Sequence, residues 1–176
     1  MKTISPLLKI PARFGVIAGI LGFAVALVLY YIGKHPFLFP VYFDFRVLLF
    51  GVFIVFALKE YRDFYKGGVL YFWEGFIGSI IFVTVYTVVA IIGMTIFGLL
   101  QPDFLSTYVS LSIAQIKSIP PEIVAQIGKD VYQRNLEMLP ATTLGDMMML
   151  YAMQSFIIGL FISIILSVIL RRQPKP

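Results

Sequence analysis

The chain has no cysteine and a single histidine among its 176 residues. That excludes disulfides, thiolate nucleophiles, cysteine metal sites and any multi-histidine metal cluster. Charge is scarce too. Charged residues make up 13% of the sequence, about half the share usual in soluble domains. The few carboxylates are scattered, so nucleophilic, metal-dependent and general acid–base catalysis lack either their residues or their proximity. No glycine-rich phosphate loop and no basic-aromatic nucleic-acid motif occurs. These absences predict no catalytic residues, no metal and no cofactor.

What remains is apolar: 60% of the residues, with seventeen Phe and ten Tyr. The longest tract, Val69 to Leu100, has Glu74 as its only charge. As a helix it would reach roughly 48 Å, against about 30 Å for a bilayer's hydrocarbon core. It is therefore read as a membrane span with length to spare.

Three further spans are expected. Phe14 to Gly33 is uncharged and follows Lys2, Lys9 and Arg13, with Pro6 and Pro11 discouraging a long helix before it. A basic start before an apolar run also fits a signal peptide. This run is longer than a signal core, however, and Tyr30-Tyr31-Ile32-Gly33-Lys34 is no cleavage site. A second span, 41–58, begins beside Asp44 and Arg46, and a fourth runs over 147–170 before Arg171-Arg172. Two apart on a helix, Asp44 and Arg46 should point to different sides and not pair. The aromatic set Phe37, Phe39, Tyr42, Phe43 and Phe45 reads as an interfacial belt.

The segment 101–143 is the one sizeable non-membrane stretch. Asp103 is expected to cap one helix, and Pro120-Pro121-Glu122 to open a second that ends at Pro140. Together they form an extracytoplasmic hairpin resting on the membrane or capping the bundle. Thr143-Leu144-Gly145-Asp146 has the form of a capping box for the last span.

Two stripes of small residues predict helix packing: Gly15, Gly19, Gly22 and Ala26 on the first span, and Ser155, Gly159, Ser163 and Ser167 on the last. They are read as complementary faces, with Gly19 and Gly159 near the contact. Met147, Met148, Met149 and Met153 cluster at the outer end of the last span, as gap fillers or an adaptable surface. The candidate functional polar residues are Glu74, Asp44, Arg46 and Asp146. Glu74 reads either as an intramembrane carboxylate for proton or cation handling or as a headgroup-level acid facing Lys66 or Arg62, the second being favoured.

Nine basic residues fall on the side of the two termini and five on the other, so the positive-inside rule places both termini in the cytoplasm. The expectation is an all-α, single-domain, integral membrane four-helix bundle over 1–176.

The glycine-rich first span, Lys59-Glu60-Tyr61-Arg62-Asp63, then Gly67-Gly68 with Phe72 and Phe76, and Pro102-Asp103-Phe104 with Tyr108, together resemble a bacterial membrane-protein family known as domain of unknown function 4199. That resemblance covers nearly the whole chain. It implies a bacterial inner (cytoplasmic) membrane location and no established activity. The function expected is a non-enzymatic accessory or scaffold subunit, partnered by the lipid bilayer and by a membrane protein or a second copy of itself, with no nucleic acid. The alternative is a small transporter, channel or lipid-handling protein; an enzyme acting on lipid is weaker still.

Overall fold

The computed structural model describes residues 5–38 and 44–173. Within them lie seven α-helices: α1 (Pro6–Tyr31), α2 (Phe45–Tyr65), α3 (Phe72–Leu100), α4 (Asp103–Lys117), α5 (Pro121–Ile127), α6 (Lys129–Met138) and α7 (Leu144–Ile169), with short 3-10 turns at Pro36–Leu38 and Leu139–Ala141. The described residues contain no strand, only an isolated antiparallel bridge between Leu70 and Arg172.

Three helices, α1, α3 and α7, are long and apolar enough to cross a membrane. Helix α2, expected as a fourth span, is not among them. Helix α2 has 21 residues, but Arg46 stands in its first turn and Lys59, Glu60, Arg62 and Asp63 in its last two. The expected start of that span at 41, and most of the aromatic belt before it, lie outside the described residues.

Helix α1 begins eight residues earlier than the expected 14. Pro6 occupies its first turn, where a missing N–H costs nothing. Pro11, inside the helix, forfeits one backbone bond but is buried, its ring lying 3.4 Å from where a Cβ on Gly78 of α3 would stand. A proline that discourages a helix in isolation is retained here by packing. Helix α3 starts at Phe72, because Val69–Tyr71 leaves the helical path for Leu70 to exchange both backbone bonds with Arg172, each 2.9 Å.

Helix α3 is the centre of the bundle. Helices α1 and α7 each pack along it, and α2 lies against α1, α7 and, less extensively, α3. A Cβ on Gly15 would meet the Phe82 carbonyl and Val85 at 2.9 Å, and one on Gly19 would lie 2.8 Å from Val89. On the other flank a Cβ on Gly159 would lie 2.6 Å from both Val83 methyls, and Gly75 faces Ser167. The two small-residue stripes therefore do not face each other, and the expected Gly19–Gly159 contact is absent: α3 stands between them. Both stripes let a flanking helix approach the same central one. With little hydrophobic drive between helices in lipid, such close approach is what holds spans together.

The 101–143 segment is three helices, not the two of a hairpin. Gly128 has φ +97° and splits the expected second helix into α5 and α6. Only glycine adopts that conformation cheaply. The apolar period runs on across the break, which is why the pattern Ile123, Ile127, Val131 concealed it. Asp103 is the first helical residue of α4 rather than its cap. Phe104, Tyr108 and Ser112 form α4's buried stripe, whereas no residue of α5 or α6 is buried.

Candidate functional site

The densest polar cluster forms where α2 begins, and it starts from a capping residue. Asp44 is the N-cap of α2, its Oδ1 accepting the Arg46 backbone N–H at 2.9 Å. Because Asp44 lies outside the helix, the rule that residues two apart diverge does not apply to it. Its carboxylate turns back and takes the Arg46 Nε–H at 2.9 Å on both oxygens, and accepts from Nη2 as well. The pair expected not to form is a buried, forked salt bridge; Arg46 is 5% exposed and Asp44 9%.

The rest of the guanidinium is met by α7. Nη1 donates to the Tyr151 carbonyl at 3.2 Å and to Ser155 Oγ at 2.9 Å, and Nη2 donates to Gln154 Oε1 at 2.9 Å. Its carbon lies 4.5 Å from the centre of the Tyr151 ring, within cation–π range. Tyr151 in turn shares a 3.0 Å hydroxyl–hydroxyl bond with Tyr86 of α3. The Tyr86 ring meets Phe50 edge-on at 4.7 Å between centroids. One arginine thus joins three helices. Each of its nitrogens has a protein acceptor, as a buried guanidinium requires.

Next to this cluster, the turn 35–38 ties the bundle to α4. His35, 4% exposed, lies 3.2 Å through Nε2 from the Phe104 carbonyl, and its Nδ1 lies 3.4 Å from the Phe37 backbone nitrogen. A carbonyl only accepts and an amide N–H only donates, so Nε2 carries the proton and Nδ1 is bare. Burial pushes the imidazole down to about 4, against the opposing pull of the Phe104 carbonyl. Tyr30, Phe37, Phe104 and Tyr108 surround the ring, and Phe37 also touches Tyr151.

Glu74 lies at the opposite end of the bundle. Its Oε1 sits 2.7 Å from Lys66 Nζ and accepts the Tyr61 hydroxyl at 3.3 Å, while Oε2 accepts the Tyr71 N–H at 3.2 Å as half of a capping box. The carboxylate holds the Lys66 ammonium above its ordinary value. Of the two basic residues expected opposite it, Glu74 faces Lys66. Asp146 closes the capping box of α7, taking the Thr143 N–H at 2.8 Å and the Thr143 hydroxyl at 2.6 Å. The four polar candidates are thus not one site: Asp44 and Arg46 converge, while Glu74 and Asp146 each cap a different helix. Of the Met cluster, Met147 and Met148 are buried and Met149 and Met153 exposed.

Sequence reasoning missed Tyr86, Tyr151, Gln154 and His35. A signal was there. A tyrosine deep in an apolar helix needs a partner for its hydroxyl, and both Tyr86 and Tyr151 sit in such tracts. Among the described residues no three His, Asp or Glu side chains gather in a way that could hold a metal ion.

Helices long and apolar enough to span a bilayer, packed through glycine and serine and locked by a buried ion pair, place the chain in the class of helical membrane bundles. Residues 13–172 match the family model described as protein of unknown function (DUF4199), and the chain belongs to that family. No curated protein and no solved structure matches it.

Proposed function

We propose that this is a non-enzymatic membrane protein of the bacterial inner membrane, an accessory or scaffold subunit that presents its α4–α6 segment to a membrane-protein partner or a second copy. The observation that carries this reading is the saturation of Arg46. A cation serving a substrate keeps donors open toward a cavity, whereas this one has every nitrogen held by protein. The cluster holds helices together and leaves nothing to bind. By contrast, α5 and α6 contribute no buried residue, so their apolar side chains are available to something else.

In this reading α2 is a fourth span. Its 21 residues give roughly 31 Å, of which the uncharged stretch between Arg46 and Lys59 is about 18 Å, so its charged ends have to reach the interface. Arg46 enters neutralised by Asp44, and the remaining charges of α2 lie in its last two turns at headgroup depth. Both termini are then cytoplasmic, on the strongly basic side. A reporter active only in the cytoplasm should work when fused after Lys66 and after Gln173, and stay silent near Lys117. For the role itself, purification from native membranes in mild detergent should recover a stoichiometric membrane-protein partner or a homo-oligomer, lost on deleting 121–138. A monomer that instead conducts ions or moves lipid in proteoliposomes, and does so less well as Glu74→Gln, would replace this reading with a transport function.

A further inference from the structure

The end of the bundle opposite Arg46 carries Lys9, Arg13, Lys59, Arg62, Lys66, Arg171 and Arg172 against only Glu60, Asp63 and Glu74. All three carboxylates are already engaged: Glu60 with Arg13 at 2.6 Å, Asp63 with Arg62 at 2.7 Å and Glu74 with Lys66 at 2.7 Å. That leaves Lys9, Lys59, Arg171 and Arg172 exposed, with no carboxylate in salt-bridge contact among the described residues. Lys59 and Arg172 each lie close enough to Asp63 to act on its carboxylate. Arg172 is also held in place, since its backbone is bonded in both directions to Leu70.

The surface beside these cations is apolar. Val168 and Ile169, next to the arginine pair, are 61% and 67% exposed, and Trp73 and Phe64 are 67% and 81% exposed. A free anion would satisfy the charge and leave that surface in water. An amphiphile with a negative head and acyl tails covers both.

We propose that this end of the bundle binds anionic phospholipid, with Lys59, Arg171 and Arg172 on the phosphate and Trp73 at the level of the glycerol. Arginine suits this role because its planar fork meets two phosphate oxygens at once. The proposal needs only that the helices lie in a bilayer, and is independent of the scaffold role and of which leaflet faces the cytoplasm.

The test uses the full chain in mixed micelles with equal phosphatidylglycerol and phosphatidylcholine, reading retained lipid by native mass spectrometry. The wild-type chain should retain phosphatidylglycerol preferentially, and the preference should fade as salt is raised. Lys59→Gln/Arg171→Gln/Arg172→Gln should lose the preference, falling to the level seen with phosphatidylcholine. Lys117→Gln/Lys129→Gln/Arg134→Gln, at the other end, should keep it. Should the triple variant fail to fold, Lys59→Gln alone should still show a partial loss. Equal retention of the two lipids by the wild type, an unchanged preference in the Lys59 variants, or complete competition by soluble glycerol phosphate would each overturn the proposal.

Discussion

Arginine is used in opposite ways at the two ends of this bundle. Arg46 is buried and met on every nitrogen by Asp44, Gln154, Ser155 and the Tyr151 carbonyl; Arg171 and Arg172 are exposed, with no carboxylate in salt-bridge contact among the described residues. A charge enclosed among helices has to bring its partners with it, because water cannot supply them. A charge at the rim can leave its neutralisation to solvent or headgroups. The first kind of residue determines how helices assemble, and the second what the assembly meets outside.

The largest expected effect breaks the enclosed end. Arg46→Ala strands the Asp44 carboxylate and the Ser155 hydroxyl, and should cost about 3–5 kcal/mol, as removal of one partner from a buried pair does. Thermal unfolding in detergent reads it. Asp44→Leu/Arg46→Met, which removes both charges, should recover a large part of that loss.

The His35 seam next to it should respond to pH. Its folded-state value lies near 4 against 6.5 when free, so the unfolded chain takes up the proton first as pH falls. Stability from this group is therefore complete above pH 6.5, declines between 6.5 and 4, and is level below. The full loss is about 3 kcal/mol at 1.36 kcal/mol per unit. His35→Phe should flatten the pH dependence of unfolding across that window.

Of intermediate size is the close approach of α7 to α3. Gly159→Ala should cost about 1–3 kcal/mol, since the stiff Val83 side chain stands where the new methyl must go. Gly51→Ala meets nothing within 4 Å and should be neutral or stabilising by about 0.5–1 kcal/mol. Cysteines introduced at 83 and 159 should crosslink within one chain, and cysteines at 19 and 159 should not. The smallest effect belongs to the open end, where Arg171→Gln/Arg172→Gln should leave unfolding within about 0.5 kcal/mol of wild type while changing what the surface binds.

Much of this molecule was legible in one dimension. Apolar tracts longer than a bilayer is thick require helices, because backbone groups in lipid must bond within their own segment. The alternation of small side chains at Gly15, Gly19 and Gly22, and at Ser155, Gly159 and Ser163, marked faces for close packing, and Thr143 with Asp146 announced a helix start. Each of these is local, decided within one helix or one turn.

What only the tertiary structure decided is which face meets which. A small-residue stripe says that some backbone comes near, not whose, so the two stripes that seemed made for each other both turned to α3. The turn-back of Asp44 onto Arg46 followed from Asp44 being a cap, and the partners of Arg46 came from residues more than a hundred positions away. The break at Gly128 lay hidden under an unbroken apolar period. Spacing along the chain determines which residues share a face. The partner of that face depends on how four helices fill space together, and that is a property of the whole assembly.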